Sequence, residues 1–309
     1  MTRRGQDTIY EMVTNEITDG LKKGIIPWHR PFLNDGRDKN YRGNAYHGIN
    51  VLLLALARMK NSSLESPAWL TFNQIKEMGG RLIKGSKHQV VIFSKSKSYV
   101  VKENGVTQYE DDGVTPLVRY YSVLRYHRVY NLSQCVGIDP PKWIAEDLEN
   151  AELKKPQSVI DEWEEKPKIE INGVAKAYYR TSTDTVHSPE IGGYKSSEDY
   201  YSVLFHELVH STGHESRLNR FKDKEFDDKG YSKEELVAEI GAAFLNTMTG
   251  INNADLLENS QAYINGWVKA LENHKRMVVM ASSKAQRAVD MILNRETEYP
   301  SKLATDEAH

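Results

Sequence analysis

Ile9, Val13, Ile17 and Leu21 recur at four-residue steps near the start of the chain, with polar residues between them. That spacing keeps one side of a helix apolar, so residues 7–23 are predicted as an amphipathic helix. Gly24 and Pro27 end it. The run Val51-Leu52-Leu53-Leu54-Ala55-Leu56-Ala57 predicts a second helix over residues 50–59, too short to span a membrane. A third, short helix is predicted from Trp69 through Met78, stopped by Gly79-Gly80. The period then changes. Residues 89–93 and 98–103 read as strands, Asn104-Gly105 as a hairpin turn and residues 118–129 as a partly alternating strand. Arg119, Tyr120, Tyr121, Arg125, Tyr126, His127 and Arg128 on that strand predict a small sheet with a basic, aromatic exposed face.

Asp139-Pro140-Pro141 marks a boundary. Residues 142–167 are acidic and bounded by Pro156 and Pro167, which predicts a linker carrying one or two helices. Trp163 is expected to pack on the domain that follows. Strands are predicted at 168–171 and 177–180, and an edge strand at 184–189 that stops at Pro189. Helical spacing returns at 200–210 and at 232–245. It continues over 261–294, with an interruption expected at Ser282-Ser283. The pattern makes an α+β chain of two domains, residues 1–138 and 168–309, joined by a linker at 139–167.

Chemistry concentrates in His206-Glu207-Leu208-Val209-His210, an H-E-x-x-H motif inside an apolar helical pattern. Positions i and i+4 share a helix face, so His206 and His210 can offer two imidazole nitrogens to one metal ion. Glu207 lies about 100° further round, where it can act as general base towards water. A third ligand is expected on the helix at 232–245. Glu235 and Glu239 share one of its faces, and Glu234 adjoins them. Glu235 is taken as the ligand and Glu239 as the acceptor that orients a ligand histidine. Ala238, Gly241, Ala242 and Ala243 would let the two helices approach closely. His214 follows Gly213, beyond the predicted end of the motif helix. Tyr263 is a candidate for polarising an oxyanion. The implied ion is Zn2+, with Mn2+ or another divalent metal as the alternative.

Among 309 residues there is one cysteine, Cys135, which excludes an internal disulfide and a cysteine-based zinc site. The N-terminus leads into an amphipathic helix and not a signal-peptide core, so a cytoplasmic protein without membrane contact is expected. The net charge of −2 hides an asymmetry. Residues 1–138 hold 20 Lys and Arg against 12 Asp and Glu; the remainder holds 21 against 31. A basic first half points to a polyanionic partner. Residues 26–47 interleave Trp28, Arg30, Phe32, Tyr41, Arg42 and Tyr46, which fits stacking on unpaired bases with phosphate contacts. The alternative is that Trp28 and Phe32 anchor a loop to the core.

Two stretches each carry a run of motifs. In the first, the opening helix is followed by Pro27-Trp28-His29-Arg30-Pro31, Tyr46-His47-Gly48-Ile49-Asn50, Pro67-Ala68-Trp69-Leu70-Thr71-Phe72, Lys84-Gly85 and Tyr130-Asn131-Leu132-Ser133-Gln134. In the second, Asp184 to Pro189 precede Tyr200-Tyr201, the H-E-x-x-H motif, Thr212-Gly213-His214, Arg217-Leu218 and Glu234 to Leu245. Together the two stretches resemble antirestriction proteins of the ArdC type, which implies a single-stranded-DNA-binding domain followed by a zincin-like metallopeptidase domain. The resemblance also implies carriage on mobile elements and protection of incoming DNA from host restriction. His47 stands where the family has Arg, and His274 where it has an acid. The contact set implied for DNA is Trp28, Arg30, Tyr41, Arg42, Tyr46, Asn50, Trp69 and Lys84. The partners implied are single-stranded DNA and a protein substrate of unknown identity. The rival expectation is a non-proteolytic DNA-binding shield with a structural metal site.

Overall fold

The first helix, α1 (Arg3–Lys22), buries Ile9, Val13, Ile17 and Leu21, the stripe that its spacing predicts. The computed structural model describes residues 3–29, 38–145, 155–222, 232–252 and 261–296. A two-residue strand β1 (Lys39–Asn40) precedes α2 (Ile49–Lys60), which is apolar all round and buried over most of its length. A helix that is apolar on every side belongs inside a core.

Residues 69–71 depart from the predicted helix. They belong to β2 (Ala68–Thr71), and α3 (Phe72–Glu77) starts only after it. Thr71 stays extended and closes a capping box with Gln74, while Trp69, Leu70 and Thr71 pair with the strand at 129–131. A short pair, β3 (Arg81–Leu82) with β8 (Cys135–Val136), flanks the main sheet. β4 (Gln89–Val100) and β7 (Val118–Asn131) form a long antiparallel ribbon, in register from Gln89↔Val129 to Val100↔Val118. The two short strands predicted at 89–103 are therefore mostly one. Beyond them, β5 (Lys102–Glu103) and β6 (Val106–Thr107) close around Asn104-Gly105, both at positive φ, as that dipeptide predicts. The four-stranded sheet runs β1-β2-β7-β4.

In the C-terminal half, α4 (Pro156–Glu162) is a helix within the segment expected to link the domains, and it packs into the core. Val159, Ile160 and Trp163 are buried in the main core. A three-stranded sheet follows: β9 (Lys168–Ile171), β10 (Tyr178–Arg180) and β11 (Thr185–Ser188), in the order β10-β11-β9. The segment at 185–188 is thus central and buried throughout, not an edge, because it bonds to a strand on each side. The helices are α5 (Ser197–Ser211), α6 (Lys233–Met248), α7 (Gln261–Asn273) and α8 (Met277–Ile292). The break between α7 and α8 falls at 274–276, not at Ser282. Ser282 is buried and its hydroxyl donates to the Val278 carbonyl, so it stays helical.

One apolar cluster runs through both halves. The α1 stripe, Trp28, Trp163, Trp267 and the inner faces of α5, α6 and α8 all belong to it. Thr14 Oγ1 donates to the Lys275 carbonyl at 2.7 Å, and Lys22–Glu272 and Arg276–Asp7 ion pairs flank that seam. No described helix is long and apolar enough to cross a membrane.

The helices α5 and α6 touch at Gly241. A Cβ there would lie 2.8 Å from both Val209 methyl carbons. Gly241→Ala is expected to lower stability by about 1–2 kcal/mol, since overpacking costs ~1–3 kcal/mol and the gain in helix propensity is at most ~1 kcal/mol. The midpoint of chemical denaturation measures it.

Candidate metal centre

Ser196 caps α5 by accepting from the Asp199 N–H, and Glu198 and Asp199 place negative charge in the first turn. Leu204, Phe205, Leu208 and Val209 are buried. That fixes the rotation of the helix and turns His206, Glu207 and His210 to a half-buried side facing α6 and the three-stranded sheet. Ser232 caps α6 through the Glu235 N–H and starts that helix beside them.

The three groups expected to bind metal converge. His206 Nε2 and His210 Nε2 lie 3.1 Å apart. Glu235 Oε1 is 3.1 Å from His206 Nε2, and its Oε2 is 3.5 Å from His210 Nε2. Among the described residues, this is the group of His, Cys, Asp or Glu side chains whose ligand atoms cluster within 4.8 Å. Two imidazoles and one carboxylate form a donor set that suits a divalent ion and leaves a fourth position open. His214 is not part of it; its Nδ1 pairs with Ser216 Oγ beyond the helix end.

The neighbouring glutamates have different partners. Glu234 pairs with Arg220, at 2.6 Å from Nη2 and 3.1 Å from Nε, and its Oε1 lies 3.7 Å from His210 Nδ1. Arg220 also donates to Thr212 Oγ1 and to the Val209 carbonyl. Glu234 is thus the acid that faces the outer ring nitrogen of His210, while Glu239, expected to orient a ligand histidine, lies on the His206 side. Glu239 is half-buried, lies near His206 and hydrogen-bonds with Tyr263. Burial opposes protonation of His210, but Glu234 and Glu235 outweigh it and push the imidazole up to about 10. Burial likewise opposes charge on His206, and Glu235 raises it. Glu235 is held well below the usual carboxylate range because the two imidazoles outweigh its burial. Burial pushes Glu239 up.

Glu207 is fixed from the sheet. Its Oε2 accepts the Tyr179 N–H at 2.8 Å. Tyr179 in turn donates its hydroxyl to Asp184 Oδ1 at 2.8 Å, and Asp184 pairs with Arg217. Arg217 Nε donates to the Ser211 carbonyl at the end of α5. This loop of contacts ties the β10–β11 turn to the motif helix. Tyr179 and Arg220 were missed from sequence, because the first acts through its backbone and the second through a neighbour. Beside His206 and Glu239 lies a cavity of about 180 Å³, lined also by Ser202, Val203, Ala242, Ala243 and Asn246.

Residues 160–284 match the model of the zincin-like metallopeptidase family. Residues 7–124 match the N-terminal domain of anti-restriction factor ArdC. The metal-free crystal structure of the antirestriction ArdC protein from plasmid R388 superposes with a TM-score of 0.69 at 29% identity, covering 93% of this chain and 99% of that one. Over nearly its whole length the chain is thus similar to the ArdC antirestriction protein, with both matched domains in the same order. The Mn(II)-bound structure of the R388 ArdC protein gives a TM-score of 0.66, also at 29% identity, over 94% and 99% of the two chains. Two Escherichia coli DNA primases named TraC are 28% and 30% identical over 97% and 92% of this chain, which spans only 28% and 20% of their lengths.

A divalent ion thus fits the donor set of this chain, and a similar protein has been solved with Mn(II) bound. Several expected DNA contacts lie elsewhere than expected. Trp28 is buried, edge-on to Trp267, and donates to the Tyr263 hydroxyl at 3.2 Å. Tyr263 therefore sits between Trp28 and Glu239, hydrogen-bonded to both. Trp69 is buried and donates to Asp38, which also holds the buried Arg58. Tyr46 is buried beside Trp69. Asn50 is buried and pairs with both the N–H and the carbonyl of Ile92, closing the open edge of β4. These four are core residues because each ring or amide finds its partner inside. Tyr41 is half-buried with its hydroxyl on the Asp139 carbonyl, while Arg42 and Lys84 are exposed. Arg30 lies outside the described residues, as does Phe32. His274 is exposed in the turn between α7 and α8, apart from the metal-ligand cluster.

Proposed function

We propose that this chain is a zinc-dependent peptidase that acts on proteins associated with single-stranded DNA, in the cytoplasm of a cell receiving a mobile element. The observation that carries this reading is the convergence of His206, His210 and Glu235, with Glu207 anchored by the Tyr179 N–H. Zinc bound there would lower the pKa of a water and polarise the scissile carbonyl. The remaining steps belong to the side chains. Glu207 keeps one carboxylate oxygen on Tyr179, so the other is left to take the proton of the attacking water and later pass it to the leaving amine. Glu234 holds His210 in orientation, backed by Arg220. Glu239 and Tyr263 support the His206 side. The cavity beside His206, with Ala242 and Ala243 on its wall, has room for one small side chain of the substrate. The N-terminal domain supplies the DNA contact. Removing the metal with a chelator is expected to abolish cleavage of a DNA-bound protein substrate, and adding Zn2+ back to restore it. Cleavage that persists in chelator would overturn the reading.

One observation favours the second reading, a non-proteolytic shield. The α5–α6 pair shares its core with α1, and Tyr263 joins Glu239 to Trp28, so an ion there would also stiffen the N-terminal half. Protection of DNA that is lost in His206→Ala but kept in Glu207→Gln selects this second reading.

A further inference from the structure

We propose that one face of the β4–β7 ribbon is the surface on which this chain holds single-stranded DNA. This rests on the DNA-binding reading above and moves its contact away from the loop residues. The register divides the ribbon into two faces. Residues directly opposite one another in an antiparallel pair lie on the same face, and the faces alternate along each strand. One face therefore carries Phe93, Lys95, Lys97 and Tyr99 from β4, with Arg125, Tyr121 and Arg119 from β7 across from them. The reverse face carries Ser94, Ser96 and Ser98, opposite Leu124 and Tyr120. Near its base it turns Ile92 and Leu124 into the core.

The first face turns Val91 and Val129 into the core at its base and buries Val123 opposite Lys95, but the side chains around them are open. Phe93 is 47% exposed and Tyr99 51%, and Lys95, Arg119 and Arg125 are also exposed. Its rings are spaced along it in pairs, Phe93 with His127 at 5.4 Å and Tyr99 with Tyr121 at 6.0 Å. From Phe93 to Tyr99 the platform is about 20 Å long at ~3.4 Å per residue. No ion pair engages Lys95, Lys97, Arg119 or Arg125 among the described residues. The sequence offers no local partner either, since no Asp or Glu occurs at 78–102 or 113–138. Cations without counter-charges over that length point to a polyanion. Charges that merely guard a sheet against edge pairing have no need of rings beside them. Rings interleaved with cations on one face need base faces as well as phosphates, and a duplex hides its base faces in the stack.

The test uses the full chain and a fluorescein-labelled oligothymidine, with anisotropy measured across a salt series. Tyr99→Ala with Tyr121→Ala is expected to weaken binding about 5- to 150-fold for each base unstacked, with the salt slope kept. Lys95→Gln with Lys97→Gln is expected to reduce the slope of log affinity against log salt by about 1.4, at ~0.7 per phosphate contact. Tyr120→Ala, at the same level on the reverse face, is expected to bind as the parent does. Photocrosslinking of a bromouracil-substituted strand to the parent gives a second readout, expected at Phe93, Tyr99 or Tyr121. If the parent binds single strands and both double variants match it, the ribbon assignment is wrong while the DNA reading stands. If the parent fails to bind, both fall. Equal affinity for duplex removes the stacking role and with it the proposal.

Discussion

Replacing Glu207 by Gln is expected to leave one metal ion per chain and to slow peptide hydrolysis about 10²- to 10⁴-fold, the range over which a positioned general base acts. The carboxylate lies outside the convergent set of His206, His210 and Glu235, so its loss does not remove a ligand. An amide can still accept the Tyr179 N–H, which keeps the β10 strand in place. What the amide cannot do is take a proton. Metal content by mass spectrometry and a cleavage assay on the same preparation check both halves of the expectation. Full turnover in this variant would remove Glu207 from the mechanism.

The second large effect separates two adjacent glutamates. Glu235→Ala is expected to abolish stoichiometric metal binding, because it leaves two imidazoles as the only side-chain ligands. Glu234→Ala is expected to retain binding but weaken it about 10- to 100-fold, the usual cost of losing a group that orients a ligand. It also strands Arg220, whose side chain is only 5% exposed, so some loss of stability accompanies it. Titration of the metal-free protein with Zn2+ measures both. Binding that survives in Glu235→Ala and disappears in Glu234→Ala would exchange their roles. The pH dependence follows from the same contacts. With His210 pushed up to about 10 by its carboxylate neighbours, the metal-free site carries protons at neutral pH. Metal loading must displace them, so proton release is expected on binding, and affinity is expected to fall as pH falls. Calorimetry in buffers of different ionisation enthalpy reads the protons directly.

Much of the local structure was legible because it depends on local spacing. The α1 stripe, the buried α2, the Asn104-Gly105 turn and the motif helix all follow from residues a few positions apart. So does the small-residue side of α6, where Gly241 meets Val209. The failures have physical causes of their own. Residues 69–71 look helical in isolation but become a strand because Asn131, Tyr130 and Val129 offer them a ladder. Ser282 looks like a break but satisfies its hydroxyl on its own helix.

The sequence by itself determined that two histidines and one glutamate share a helix, that a second helix carries acidic candidates, and that the first half is basic. It did not decide which acid meets the histidines. Glu234, Glu235 and Glu239 sit on one helix, and only the way α6 is rotated against α5 selects among them. Nor did it decide which aromatics face water. Trp28, Tyr46 and Trp69 look like stacking residues beside cations, yet each is turned inward by contacts from distant positions: Tyr263 and Trp267, Leu54 and Val91, and Asp38. The residues left outside lie on a ribbon whose faces are set by strand register. Helix rotation, strand register and burial are relations between segments far apart in the chain, so they exist only once the tertiary structure has formed.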